Sequence, residues 1–216
     1  MSTAHVVIAV KDLAAAKTRL ADAFTDADRA RLVVAMFRDT ALAAKAVAAV
    51  SALTVVTPDP AIADAASKLG ARVVKEPCDG SSSDSVARLN AAFSAAASLV
   101  RAEGDADIIA LQADLPALRS VELADAYESA QADGRSVVSD HHGTGTAALI
   151  LKGRANEFDP LFGPASARRH RESGASDLDG EWPGLRLDVD TIADVREAFA
   201  LGVGRSTAEV LRSLGW

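Results

Sequence analysis

Short apolar runs alternate with helical stretches through the first half of the chain, and this alternation constrains the fold more than any other feature. Val6–Val10 is a continuous apolar run of the kind that forms a strand buried on both faces. A loop with a short helical piece over 11–25 leads to a helix over about Asp26–Ala49, where Leu32, Val33, Met36, Phe37 and Thr40 recur at helical spacing. Leu53–Thr57 reads as a second strand, ended by Pro58-Asp59-Pro60. Ala61–Leu69 reads as a helix with Gly70 at its C′ position, and Arg72–Lys75 as a third strand. A polar Ser/Gly loop over 76–84 precedes a helix that Asp84 or Ser85 can cap and that runs to about Glu103; Asp107–Leu111 is the fourth strand. Strands spaced by helices in this order are parallel, joined by right-handed crossovers, and ligands bind at their carboxyl ends. The second half is less regular. It predicts a helix over Ser120–Ala132, strands over Ser136–Ser139 and Ala147–Lys152, a helix near Ser166–Ser173, and terminal helices over 191–201 and 206–214. With no repeat or linker in view, the expectation is one α/β domain over 1–216 with a mostly parallel sheet.

Alanine supplies much of the 49% apolar content and aromatics only 4%, so the helices must pack closely through small side chains. A net charge of −7 argues against a general nucleic-acid binder, though it leaves room for a local basic pocket. The single Cys78 excludes an intramolecular disulfide framework and fits a reducing compartment. Val6–Val10 is too short for a signal segment or a membrane span, so a cytoplasmic location is expected.

Three aspartates carry the chemical signal. Asp114 follows the fourth strand in Ala-Leu-Gln-Ala-Asp-Leu-Pro (110–116), and Asp188 and Asp190 stand in Arg-Leu-Asp-Val-Asp-Thr (186–191), which reads as strand. Strand side chains alternate, so Asp188 and Asp190 point one way and Val189 the other. Carboxylates clustered at strand ends suit Mg²⁺ and phosphoryl or nucleotidyl transfer. Taken singly, Asp114 could be a helix cap, Asp188 a turn former and Asp190 the N-cap of a helix beginning at Thr191; three acids at two strand ends are harder to dismiss. Lys11, Lys17 and Arg19 put three cations into the loop after the first strand, where a triphosphate would need them; a solvated turn is the plain alternative. No Walker A or Gly-x-Gly-x-x-Gly pattern is present. The loop 79–88 and Asn90 are candidates for reading a base, or a flexible loop and a solvated amide. His141-His142 suggest metal ligands, but neighbouring side chains on an extended chain diverge and no third Cys or His is near, so a zinc site is not expected. The following Gly143-Thr-Gly-Thr146 can surround a phosphate. So can Phe162-Gly163-Pro-Ala-Ser166, where Ser166 can cap a helix with Arg168, Arg169 or His170 nearby.

Together these segments resemble the 2-phospho-L-lactate/phosphoenolpyruvate guanylyltransferases of coenzyme F420 biosynthesis. The motifs are Val-Lys-x5-Lys-Thr-Arg-Leu (10–20), Arg31 with Arg38-Asp39, Leu89-Asn90-Ala-Ala, Ala113-Asp114-Leu-Pro116, Gly143-Thr-Gly-Thr146, Phe162-Gly163-Pro-x-Ser166-x3-His170 and Leu187-Asp188-Val-Asp190-Thr191. Ala113 and Ala147 depart from the glycine and asparagine that many relatives carry there; neither change removes a metal ligand. The resemblance implies a Rossmann-like fold of the nucleotide-diphospho-sugar transferase (GT-A) type. It implies that Asp114, Asp188 and Asp190 hold Mg²⁺, and that Lys17 and Arg19, supported by Lys11, bind the GTP triphosphate. It further implies that Thr146, Gly163 and Ser166 grip the acceptor. The implied reaction passes GMP from GTP to phosphoenolpyruvate or 2-phospho-L-lactate and releases pyrophosphate, for a downstream transferase acting on Fo. The Ala- and Arg-rich composition suggests a high-GC, actinobacterial source, and for such a source the resemblance implies phosphoenolpyruvate as the acceptor. The alternatives are another nucleotidyltransferase of this fold with a molybdopterin or sugar-phosphate acceptor, a glycosyltransferase, and a non-catalytic GTP-binding regulator.

Overall fold

The computed structural model describes residues 3–11, 13, 17–76, 84–104, 106–153 and 156–216. Its centre is β1 (Ala4–Ala9), buried along its whole length. β1 lies parallel to both β2 (Val50–Val56) and β4 (Asp107–Leu111), and β3 (Arg72–Val74) extends the sheet beyond β2. The crossovers are α1 (Asp26–Lys45), α2 (Pro60–Lys68) and α3 (Ser85–Glu103). These four parallel strands are the arrangement that the alternating pattern predicts.

The second half contributes α4 (Ser120–Ser129), β5 (Gly134–Ser139), β6 (Thr146–Lys152), α5 (Ser166–Glu172) and β7 (Ser176–Asp177). The chain closes with α6 (Pro183–Arg186), α7 (Ile192–Leu201) and α8 (Arg205–Ser213). β6 runs antiparallel to β4 and to β5, while β7 runs parallel to β5, giving the order β3-β2-β1-β4-β6-β5-β7. The antiparallel insertion matters for function. It brings the amino end of β6, with Thr146, beside the carboxyl end of β4, where Ala148 pairs with Leu111 and Gln112 N–H donates to Ala147 O at 3.0 Å.

Side-chain alternation along β1 splits the core. Val6 and Ile8 face Phe37, Ala41 and Ala44 of α1, whereas Val7 and Ala9 face Phe93, Ala96 and Ala97 of α3. Phe93 stacks on Phe162 with ring centroids 4.5 Å apart, tying α3 to the segment before α5. A third cluster packs Leu20, Phe24, Leu32 and Met36 against Leu187, Val189, Val195 and Leu211. Among the described residues, no helix is long and apolar enough to cross a membrane.

Several boundaries differ from expectation. α1 ends at Lys45, four residues early, and β2 begins at Val50, three residues early, because Val47 turns inward and its carbonyl receives Val50 N–H at 2.9 Å. α4 stops at Ser129: Ala130 is extended and Gln131 N–H donates to Ser136 Oγ at 3.0 Å. α6 and the two-residue β7 are not foreseen. The larger correction concerns 186–191, which is not a strand. Arg186 ends α6, and residues 187–191 are an extended connection to α7 that lies outside the sheet. Its alternation survives all the same. Leu187 and Val189 are buried in the third cluster, so Asp188 and Asp190 share the opposite side.

Candidate active site

Three short connections converge on the carboxyl end of β4. Thr40 on α1 donates to Met36 O at 2.9 Å and accepts Leu115 N–H at 3.1 Å, which fixes the turn carrying Asp114. Val189 N–H donates to Asp114 O at 3.1 Å and joins that turn to the Asp188–Asp190 segment. Asp194, at the third position of α7, accepts Asp190 N–H at 2.9 Å and Thr191 N–H at 2.7 Å through Oδ2. Thr191 Oγ1 accepts Asp194 N–H at 3.3 Å in return, a reciprocal cap that sets the height of Asp190.

Lys17 sits in a left-handed backbone conformation (φ 54°) and extends its ammonium between Asp114 and Asp190, donating to both, to Asp190 Oδ1 at 2.6 Å. Arg19 lies 4.0 Å from Asp190 Oδ2 and is largely exposed. The carboxyl of Asp188 is pushed up to about 6, first by burial and then by Asp114, Asp190 and Asp140, with Lys17 opposing. Burial also pushes Asp190 upward, but Lys17 and Arg19 outweigh it and hold that carboxyl below its usual range. Burial opposes charge on Lys17 too, and here the two aspartates prevail and raise it.

The donor set fits a divalent cation. Asp114 Oδ1 is buried and has no hydrogen-bond partner, and Asp188 stands among like charges that one ammonium does not neutralise. Three carboxylates are hard oxygen donors of the kind Mg²⁺ takes.

Across a cavity of about 460 Å³ from Asp188 and Asp190 stand Thr146, Gly163 and Ser166. Burial, followed by Arg135 and Arg169, depresses the His170 imidazole to about 4, so it is neutral at pH 7. His170 Nε2 accepts Leu161 N–H at 2.8 Å, which assigns the ring proton to Nδ1, 2.9 Å from Thr146 Oγ1. Thr146 Oγ1 therefore accepts from His170 and keeps its own proton to donate. Gly163 has φ +115°, and a Cβ there would lie 2.7 Å from Val86 Cγ1, so the position needs glycine. Ser166 is buried as the first residue of α5. It is not the cap: Ala165 occupies that position in a left-handed conformation with no side-chain bond.

Other predicted residues take supporting places. Asn90 Oδ1 accepts Phe162 N–H at 2.8 Å and its Nδ2 donates to Phe162 O at 3.1 Å. Its amide thus pairs with backbone, holding the strip that carries Gly163, in place of reading a base. Lys11 is half-buried near Arg88, Glu76 and Asp84; burial, then Arg88, lowers its ammonium. It lies toward α3, whereas Lys17 and Arg19 meet the aspartates. Arg168 pairs with Glu172 at 3.5 Å, and Arg169 donates to Phe162 O at 3.0 Å. Asp39 caps α8 through Ser206 N–H (3.0 Å) and Thr207 N–H (2.7 Å), a structural use of the Arg38-Asp39 motif. Cys78 and residues 79–83 of the proposed base-reading loop lie outside the described residues.

Gln112, Asp140, His141 and Asp194 also line the cavity and are not foreseen as site residues. The Thr191-x-x-Asp194 spacing is a readable capping signal; Asp140 and Gln112 carry no comparable one. The histidines contradict the premise that their side chains diverge. Asp140 Oδ1 and Oδ2 accept the N–H groups of Thr144 (2.9 Å) and Gly145 (2.8 Å), closing a turn. In that turn the two imidazoles lie side by side, centroids 3.8 Å apart. A larger hollow of about 720 Å³ lies between α1 and α8, walled in part by Arg31, Arg38 and Arg205. Its lining, among the described residues, includes none of the three aspartates, so its size does not make it the reaction site.

A family model described as "Guanylyl transferase CofC like" matches residues 4–216. The chain is 55% identical over 213 residues to a phosphoenolpyruvate guanylyltransferase of Nocardia farcinica, covering 98% of this chain and 92% of that one. It is 53% identical over 218 residues to phosphoenolpyruvate guanylyltransferase 1 of Rhodococcus jostii, covering 98% and 94%. Among solved structures, a Desulfovibrio desulfuricans protein described provisionally as a nucleotide-diphospho-sugar transferase superposes with a TM-score of 0.68 at 17% identity, covering 99% and 95%. A Methanothermobacter nucleotidyl transferase superposes with a TM-score of 0.59 at 16% identity, covering 99% and 100%. At these identities the superpositions establish the fold, which is of the nucleotide-diphospho-sugar transferase type.

Proposed function

The chain belongs to the CofC-like guanylyl transferase family, and from that premise we propose that it transfers GMP from GTP to phosphoenolpyruvate with release of pyrophosphate. The observation that carries this reading is the opposition, across one cavity, of a cation-and-carboxylate cluster and a set of small polar groups suited to a phosphate. The acceptor is taken from relatives named for phosphoenolpyruvate that match this chain at more than half of their aligned positions.

In this reading Asp114, Asp188 and Asp190 hold Mg²⁺, which supplies positive charge to the phosphates when bound. The acceptor needs no general base. A phosphate monoester has a second pKa of about 6 and is largely dianionic at neutral pH. One of its oxygens attacks the α-phosphorus of GTP, and the bond to the bridging oxygen breaks. Pyrophosphate leaves with that electron pair. Lys17 and Arg19 stabilise the leaving charge. Thr146 donates its free hydroxyl proton to the acceptor, and Gly163 and Ser166 let the backbone approach it. Catalysis then rests on alignment and charge neutralisation. The product, a diphosphate ester of guanosine, is suited to a second transferase, in keeping with coenzyme F420 assembly on Fo.

The test is pyrophosphate release by purified protein supplied with GTP and Mg²⁺ and with phosphoenolpyruvate or 2-phospho-L-lactate in separate reactions. Fo and a downstream transferase are added to draw off a labile product. Release with phosphoenolpyruvate alone is expected. Release with 2-phospho-L-lactate alone would reassign the acceptor, and release with neither from folded, GTP-binding protein would remove the transfer reading.

A further inference from the structure

We propose that His141, His142 and Asp194 form a second cation site, for a borderline divalent transition ion of the Co²⁺ or Zn²⁺ class, separate from the three-aspartate cluster. One donor atom from each of the three residues lies within 4.8 Å of the other two. The 140–145 turn sets the imidazoles side by side, tilted by 40°, and His141 N–H donates to Arg186 O at 2.8 Å, which anchors the first ring against the Asp188 segment.

The remaining bonds leave lone pairs facing one another. Asp194 Oδ2 is used up by the α7 cap, so Oδ1 is free; it lies 3.6 Å from His141 Nε2. His141 Nε2 is buried and has no hydrogen-bond partner. On the other side of the ring, Nδ1 lies 3.3 Å from Asp188 Oδ1. An imidazole that donates Nδ1–H to a carboxylate presents its Nε2 lone pair outward, the arrangement that orients histidine ligands in metal sites.

A protonated His141 bridging Asp188 and Asp194 is the competing account. It requires Nε2 to donate to Asp194, and that contact, at 3.6 Å, is beyond hydrogen-bond reach and far from the roughly 2.7–2.9 Å of a charge-assisted N–H···O bond. Nor does that account give the adjacent His142 ring a role. Two imidazole nitrogens and one carboxylate select a transition ion over Mg²⁺, whose preferred oxygens lie in the neighbouring cluster. A tetrahedral ion with bonds of about 2.0–2.1 Å places its ligands roughly 3.3 Å apart. The exposed His142 side chain is free to swing that remaining distance. Three protein ligands leave a fourth position for water or a phosphate oxygen.

Nothing in this proposal depends on guanylyl transfer, and its test uses no substrate. The full chain is titrated with Co²⁺ in excess Mg²⁺, and the visible d–d absorption is followed for wild type, His142→Ala and Asp190→Ala. Wild type is expected to bind one Mg²⁺-resistant Co²⁺. His142→Ala should weaken it by about tenfold or more with an unchanged melting curve, since that ring is exposed. Asp190→Ala should bind as wild type, because Asp194 accepts the backbone N–H of residue 190 and not its side chain. Absence of a Mg²⁺-resistant band, wild-type affinity in His142→Ala, or loss of the band in Asp190→Ala would each overturn the site.

Discussion

Asp188 and Thr146 show what single side chains contribute. Asp188 takes its proton near pH 6 in the folded chain, against about 3.9 in an unfolded one. A carboxyl raised in this way costs stability as pH rises from about 4 to 6, and the full cost persists above that range. Without divalent ions, Asp188→Asn should therefore melt higher than wild type at pH 7, by up to about 3 kcal/mol. The gap should close as pH falls toward 4. A gap of the same size at both pH values in thermal melts would remove the charge explanation. Thr146→Val tests the opposite kind of dependence. It removes one of the two acceptors that the His170 ring meets, Thr146 Oγ1 and the Ser166 carbonyl, which costs about 0.5–1.5 kcal/mol. It also deletes the free hydroxyl proton. KM for the acceptor should rise while KM for GTP holds, and steady-state kinetics separate the two. Of these residues, Asp188 was legible from its motif. The tautomer that frees the Thr146 proton was not, because it depends on Leu161, which lies fifteen residues away in sequence.

At the scale of elements, legibility followed the range of the forces involved. β1 to β4 and α1 to α3 announce themselves through local periodicity and caps, and the Asp84 cap, the Gly70 C′ position and the β4 ends stand where the sequence puts them. The 186–191 segment misleads because burial of Leu187 and Val189 in the third cluster imposes a two-residue alternation on a connection that has no strand partner. Periodicity reports burial, and only by inference pairing. The same limit hid the geometry of the histidines, since a turn closed by Asp140 places neighbours side by side. Two element-level substitutions follow. Asp39→Ala removes the cap that α1 provides to α8 and should cost about 0.5–2 kcal/mol, read from denaturant midpoints, with kcat unchanged. Gly163→Ala forces a side chain into φ +115° and against Val86. The loop between Phe162 and α5 should shift, raising KM for the acceptor. Wild-type kinetics in that variant would detach this loop from the site.

Taken as a whole, the molecule is two half-sheets whose functional loops meet at Lys17. The parallel half supplies Asp114 and the cation loop; the antiparallel half and the C-terminal helices supply Thr146, Asp188 and Asp190. The ammonium of Lys17 stands between Asp114 and Asp190, where the carboxylates would hold a cation. A divalent ion arriving alone must displace it and leave a charged group that burial disfavours. When a triphosphate arrives with the ion, Lys17 gains an alternative partner, so metal and nucleotide should bind with positive coupling. Thermal shift measures this directly. A ligand at about a hundred times its dissociation constant adds about 2.7 kcal/mol, worth roughly 5–10 °C for a chain of this size. Mg²⁺ and GTP together should produce such a shift, exceeding the sum of the two alone. Lys17→Met abolishes the competition for Asp114 and Asp190, so Mn²⁺ alone should bind this variant more tightly than wild type, while its use of GTP falls. Weaker Mn²⁺ binding in Lys17→Met would show that the ammonium shapes the metal site instead of occupying it, and would move Lys17 from a counter-ion that changes partner to a fixed part of the scaffold.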